Sequence, residues 1–148
     1  MSPLEIRALE PADRSAWEPL WQGYLAFYKT TLKPGVTDIV WARFHDPAEP
    51  TFALGAFIDG RLVGFAHYLF HRGTWSASDR CYLEDLFVAE SARGHGAGRA
   101  LIAAVVEAAR VHGSDRVYWH TDESNQTARA LYDRIATLSG FLQYRIET

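Results

Sequence analysis

Residues 91–109 read SARGHGAGRALIAAVVEAA, with Gly94, Gly96 and Gly98 falling in five positions directly ahead of a long apolar-periodic run. Leu101, Ile102, Val105, Val106 and Ala109 recur at helical spacing, with Arg99, Glu107 and Arg110 off that stripe. The spacing predicts a helix over 98–112 that Gly113 ends. Just upstream, 81–88 (CYLEDLFV) reads as a strand. A strand passing through a glycine turn into a helix lets backbone approach a ligand, because glycine adopts unusual dihedrals without steric cost. Unpaired N–H groups and the positive helix end there attract an anion, and Arg93 and Arg99 add charge at both ends. The same string also serves as a plain tight turn, and its neighbours narrow the choice. Arg99-Ala100 follows Gly98 where a nucleotide-hydrolase phosphate loop needs Lys-Ser/Thr. A dinucleotide fingerprint needs an acidic residue about 20 positions on, ending the next strand. Asp115 comes 17 positions after Gly98 but precedes its strand. A protein-kinase glycine loop belongs to a much larger chain.

Outward from this segment the pattern alternates between strands and helices. Leu4-Glu5-Ile6-Arg7 reads as a first strand. Asp13 caps a helix to about Tyr28 with Trp17, Leu20, Trp21, Tyr24 and Phe27 as its apolar stripe. Pro34-Gly35 breaks the chain, and Thr37 caps a second helix carrying Ile39, Val40 and Phe44 as far as Asp46-Pro47. Strands over 52–58 and 62–69 flank Asp59-Gly60, a strong hairpin signal. Beyond the glycine segment come a strand over 117–121, a helix over 127–138 bearing Ala128, Leu131, Tyr132, Ile135 and Leu138, and a last strand over 141–146. The order implies one α/β domain over 1–148, with a largely antiparallel sheet, a central parallel pair and flanking helices.

Composition narrows the function. The 148 residues are 48% hydrophobic and 22% charged, and the formal charge of −3 with no basic run argues against a dedicated nucleic-acid binder. Cys81 is alone, which excludes an internal disulfide and a thiolate zinc cluster and leaves a buried small hydrophobe as its plain reading. The six histidines form no helical i,i+4 pair, since His67 and His71 fall on or beside a strand, so no metal is expected. The N-terminus shows no secretory pattern and no segment reaches membrane-spanning length. The expectation is a cytoplasmic or otherwise reducing location and no membrane partner.

Arg93-Gly94-His95-Gly96-Ala97-Gly98 resembles the Arg/Gln-x-x-Gly-x-Gly/Ala pyrophosphate loop of the GCN5-related N-acetyltransferase (GNAT) superfamily. Asn125, followed by Ala128, Leu131 and Tyr132, is similar to that family's second cofactor motif, and the element order matches over nearly the whole chain. The resemblance implies acetyl-CoA as co-substrate. Its pyrophosphate would lie on the amides from Arg93 to Arg99, and its pantetheine arm along Leu86, Phe87 and Val88, between two splayed parallel strands. Asn125 and Ala128 would order or contact that arm. A narrower resemblance lies in Tyr82-Leu83-Glu84-Asp85-Leu86-Phe87-Val88, with Val117-Tyr118-Trp119-His120-Thr121 and Glu123-Ser124-Asn125. These look like the histone- and polyamine-acetylating branch and the related diamine and thialysine acetyltransferases. Gly140-Phe141 comes eight residues after Tyr132, whereas many members place Gly-Phe four after the tyrosine. Only seven residues follow Phe141, so the final strand is either short or completed by a partner in a homodimer.

Acetyl transfer to an amine needs a neutral nucleophile, a polarised thioester carbonyl and a proton for the leaving thiolate. With an ammonium pKa of about 10.4, roughly one amine in a few thousand is neutral at pH 7. A carboxylate within reach attracts the cation and accepts its proton, directly or through water. Bringing both substrates together supplies much of the rest without a covalent intermediate. The resemblance gives that role to Glu84, whose alternative is to solvate an edge or bind substrate. Strand alternation turns the neighbouring Asp85 to the opposite face, where it makes a structural hydrogen bond or contacts substrate. Backbone N–H groups near Phe87 or Val88, freed by a bulge, would polarise the thioester oxygen. Tyr132 sits at core spacing, and the resemblance makes it the acid that protonates the coenzyme A sulfur. Trp21, Tyr24 and Tyr28, with Asp85, Asp122 and Glu123, are the candidate acceptor-binding residues, suited to a cationic amine; the rings read equally as core. The implied acceptor is a small polyamine, diamine or lysine-like amine. Lysine side chains of histone-like proteins, an aminoglycoside, and a catalytically silent acyl-CoA-binding module are the alternatives.

Overall fold

In the computed structural model, which describes residues 3–148, the chain begins with β1 (Leu4–Ala8), a 3-10 turn (Pro11–Asp13), α1 (Arg14–Phe27) and α2 (Val36–Phe44). There follow β2 (Thr51–Ile58), β3 (Arg61–His71), β4 (Arg80–Val88) and a second 3-10 turn (Glu90–Ala92). The chain then forms α3 (Ala97–His112), β5 (Val117–Tyr118) and α4 (Gln126–Ile135). Local chemistry accounts for several boundaries. Asp59 and Gly60 take φ of +52° and +72°, the left-handed pair of a tight hairpin turn, and set Ile58 opposite Arg61. Asp13 turns the chain into α1: its carboxylate accepts from the Glu10 amide at 2.7 Å and from both terminal nitrogens of Arg7 at 2.8 and 3.1 Å. Arg7 thereby holds Asp13 below the usual carboxylate range.

The sheet order is β1-β2-β3-β4-β5, antiparallel throughout except for the parallel pair β4–β5. That pair joins only at Cys81–Val117 and Tyr82–Tyr118, after which β4 continues along β3 to Val88 and the two strands part. The splay expected of the parallel pair is therefore present. It lies at an edge of the described sheet instead of its centre, because no strand forms beyond β5.

Each sheet face carries its own core. Leu101, Ile102, Val105 and Ala109 of α3 pack with Val63, Ala66, Tyr68, Cys81 and Leu83 on one side. Trp17, Trp21, Leu25 and Trp41 of α1 and α2 pack with Ala53, Phe57, Leu62 and Phe65 on the other. Cys81 is fully buried, as its plain reading required, and burial pushes its thiol up to about 11. No helix among the described residues is long and apolar enough to cross a membrane.

The strand expected over 141–146 does not form, and α4 stops at Ile135, with Ala136 extended, three residues before Leu138. Apolar spacing invited both expectations. Leu138, Phe141, Leu142, Tyr144 and Ile146, at 75–92% exposure, find no surface among the described residues to bury against. Nor does β5 reach residue 121: Trp119, His120 and Thr121 lie beyond its last paired residue.

Candidate active site

The β3–β4 ladder contains one irregularity beside the splay. His67 pairs with Asp85 and Tyr68 with Leu83, so Glu84 is an extra residue on β4, a β-bulge. Ordinary alternation sends Glu84 and Asp85 to opposite faces, but the bulge inserts a half-step. Asp85 bonds His67 and faces Tyr24 of α1, and Glu84 faces the same Tyr24. Both carboxylates thus address the α1 side, which corrects the expectation of opposite faces. Phe87 and Val88 remain in regular register with Phe65 and Gly64, so the bulge falls at Glu84 and not near Phe87.

Beside the two carboxylates stand the hydroxyls of Tyr24 and Tyr28, with Tyr132 of α4 near Tyr28. Tyr24 meets Tyr28 at a tilt, with centroids 5.0 Å apart, and meets Phe87 edge-on at 6.0 Å. Burial and then the Asp85 charge raise Tyr24 and Tyr28 above the ordinary phenol value. Tyr132 of α4 is raised by burial and by Tyr28, and its ring meets Trp119 at 5.3 Å. Desolvation first, then Asp85, raises the Glu84 carboxyl, although its side chain is open to solvent on one side. Asp122, on the loop before α4, faces Tyr28 but is held below the usual carboxylate range by the hydroxyl and amide of Ser124. Glu123 is exposed in the same turn, where its backbone carbonyl accepts from Arg129. Trp21, expected to bind acceptor, is a core residue: it is 6% exposed, donates its indole N–H to Thr37, and backs Tyr24 at 5.6 Å.

Beyond β4 the chain turns on Gly94 and Gly96, at φ of +86° and +79°. A Cβ built at either glycine meets nothing within 4 Å, so the outer side of this turn is open to a group laid on the backbone. Gly96 is the N-cap of α3, and the first N–H groups of a helix have no partner inside it. Arg93 folds back to donate to the Val88 carbonyl at 3.2 Å, and His95 Nδ1 donates to the Ala92 carbonyl at 2.9 Å, bracing the turn. Gly98 and the exposed Arg99 continue into the helix, while the Ala97 methyl is buried in the α3 core and leaves only its backbone for a ligand. Leu86 and Val88 line that same core at the mouth of the splay. Asn125 caps α4, its side-chain oxygen accepting from the Ala128 amide at 3.3 Å. An anionic, extended co-substrate of the pyrophosphate–pantetheine kind fits this arrangement. Two surface clefts of about 300 and 400 Å³ along α1 share no residue with it.

Two groups of residues were missed in the sequence. His67 joins Trp17 Nε1, at 3.0 Å, to Asp85, at 2.9 Å. Its signal was a lone polar residue inside the apolar run LVGFAHYLF, which demands a buried partner. Tyr82 and Tyr118 stack at 4.9 Å, with His71 on the Tyr118 hydroxyl at 2.6 Å and His120 on the Tyr82 hydroxyl at 3.2 Å. The period-two spacing of Tyr118 and His120 was legible, but their placement beside Tyr82 comes from the parallel register of β4 and β5.

The model of the acetyltransferase (GNAT) family matches residues 9–136, and the chain belongs to this family. It is 39% identical over 142 residues to the D-amino-acid N-acetyltransferase HPA3 of Saccharomyces cerevisiae, covering 95% of this chain and 88% of that protein. It is 30% identical over 145 residues to the uncharacterised N-acetyltransferase YhfO of Bacillus subtilis, covering 95% of each. An aminoglycoside acetyltransferase from an uncultured soil metagenomic sample has the same fold, with a TM-score of 0.81 and 21% identity over 99% of each chain. The chain is an acetyl-CoA-dependent N-acetyltransferase.

Proposed function

We propose that the chain moves the acetyl group of acetyl-CoA to the primary amine of a small molecule, by direct attack within a ternary complex. The pairing of Glu84 and Asp85 on one face, beneath the hydroxyls of Tyr24 and Tyr28, carries this reading. An ammonium group is held there by two carboxylates and tyrosine rings. Glu84 accepts its proton, directly or through one water, and the raised pKa of this carboxyl makes it a better base than an ordinary glutamate. The new C–N bond forms as the C–S bond breaks, and the Tyr132 hydroxyl donates its proton to the departing thiolate. Burial supports that role by keeping Tyr132 protonated at neutral pH. The amides of the 93–99 turn take the pyrophosphate, while Leu86, Phe87, Val88, Asn125 and Ala128 flank the pantetheine arm.

Paired carboxylates favour a multiply charged acceptor: a polyamine, a diamine or a lysine-like amine. Similarity to HPA3 favours a second reading, an amino acid acetylated on its α-amine, D-amino acids above all. The exposed apolar C-terminal segment further supports a homodimer. The deciding experiment is coenzyme A release with acetyl-CoA over spermine, spermidine, short diamines, D- and L-lysine, other D-amino acids, basic peptides and an aminoglycoside, with product mass as confirmation. A small amine should dominate in kcat/KM. Glu84→Gln and Tyr132→Phe should each lower it by about 10²-fold or more while acetyl-CoA binding persists. Preference for basic peptides, or tight acetyl-CoA binding with no turnover on any amine, would sink the proposal.

A further inference from the structure

His67 is 3% exposed and enclosed by aromatic rings, with Phe65 at 4.5 Å, Phe44 at 4.6 Å, Trp21 at 5.2 Å and Trp17 at 5.8 Å. An apolar residue would pack there at lower desolvation cost, so the imidazole's two bonds call for a reason. Trp17 Nε1 carries a hydrogen and is a donor only. At 3.0 Å from it, His67 Nε2 accepts and bears no proton. The ring's proton therefore sits on Nδ1 and is donated to Asp85 Oδ2 at 2.9 Å. An imidazolium would set two N–H groups against each other at Nε2. The ring is thus held neutral, and it stabilises the Asp85 carboxylate without cancelling its charge. Asp85 is 15% exposed at its side chain and has Glu84 as its neighbour on the same face.

We propose that Trp17 and His67 are positioning residues that hold Asp85 as a fixed carboxylate beside Glu84, dividing the pair into a standing anion and a proton-accepting base. Where two like charges share a site, the one with dedicated donors keeps its charge, and the other is driven toward its protonated form. The bulge gives Asp85 the donors and leaves Glu84 without such a pair. The upward displacement of the Glu84 carboxyl, caused by desolvation and then by Asp85, agrees with this division. The titratable groups facing the two carboxylates are Tyr24 on α1 and Tyr28 at its C-cap, His67 on β3, Tyr82 on β4 and Tyr118 on β5, with Arg145 of the C-terminal segment near Tyr82. Tyr24 also hydrogen-bonds Asp85, and His67 is the donor anchored in turn, its second nitrogen accepting from Trp17.

The inference deepens the proposed function, resting on Glu84 as the base, but its test requires no turnover. Carbon-13 NMR of glutamate-labelled protein follows the Glu84 carboxyl through a pH titration, the signal being assigned by its loss in Glu84→Gln. In Asp85→Asn the Glu84 midpoint should fall by about half a pH unit or more. Two variants at His67 separate its bonds. The Asn amide nitrogen replaces Nδ1 and still donates to Asp85, whereas the Gln amide oxygen takes the place of Nε2 and satisfies only Trp17. His67→Asn should leave the Glu84 midpoint near the wild-type value, and His67→Gln should lower it toward that of Asp85→Asn. Equal displacement by both variants would reduce His67 to a packing residue and overturn the proposal, as would an unmoved midpoint in Asp85→Asn. The wild-type protein supplies an independent check should a variant fail to fold. Nitrogen-15 spectra should show His67 Nδ1 bearing the proton and Nε2 bare, whereas a proton on Nε2 would overturn the assignment. Loss of activity on every amine with these titrations intact would count against the proposed function and leave this inference standing.

Discussion

Glu84 has two properties that pull against each other. It is an extra residue in its strand, and its carboxyl is shifted upward by desolvation and by Asp85. The native state therefore holds this proton to a higher pH than the unfolded chain does. Its contribution to stability is fully present below the unfolded value and is lost as pH rises through the folded one. Ionised Glu84 is consequently a cost to the fold at neutral pH, in the form a base requires. Glu84→Gln should raise Tm at pH 7 while removing activity, and the gain should shrink toward zero as pH falls to about 4, where both side chains are neutral. Thermal unfolding of the two proteins across pH 4–8 checks this. A gain independent of pH would mean that the substitution acts by packing and not through charge.

Two glycines set the geometry of the elements around the site, each for a different reason. Gly96 lies at φ +79° with open space where a Cβ would stand, so Gly96→Ala strains backbone without a clash, at about 1–2 kcal/mol. Because the N-cap of α3 is the part displaced, the expected outcome is a raised KM for acetyl-CoA with a smaller change in kcat. Gly64 has the opposite problem, since a Cβ there falls 2.8 Å from the Phe87 carbonyl oxygen. Gly64→Ala should push β3 from β4 where they lead to the splay, at about 1–3 kcal/mol, read as a lowered Tm. The contrast shows what sequence makes legible. The Asp59-Gly60 hairpin and the α3 stripe are local patterns, complete within a few residues, and both were readable. The Glu84 bulge was not, because register depends on which residues of β3 lie opposite, and no spacing within YLEDLFV encodes it. The Trp17–His67–Asp85 chain joins three elements for the same reason. Elements read from such local patterns formed, while the faces and partners of their side chains awaited the tertiary pairing.

At the scale of the molecule, the C-terminal segment is an anomaly for a lone chain. Five large apolar residues, Leu138 to Ile146, are 75–92% exposed, and β5 is an edge strand bonded to β4 on one side. Exposed apolar side chains beside an open sheet edge are what a second copy covers, and exchange of identical segments about a two-fold axis satisfies both chains at once. A segment that alternates like a strand yet pairs with none of the described residues is the expected monomer view of such an exchange. Light scattering after size exclusion should therefore give twice the 16.7 kDa of one chain. Truncation after Ala136, or the double substitution Leu142→Asp and Ile146→Asp, should give the single mass. Burial and then Glu84 and Asp85 raise the Tyr82 phenol, and the Arg145 charge opposes them, so the segment passes near the site. Acceptor KM should then change with truncation more than acetyl-CoA KM does. A full-length chain that elutes as a monomer at micromolar concentration would refute the exchange and leave the exposed segment to some other partner.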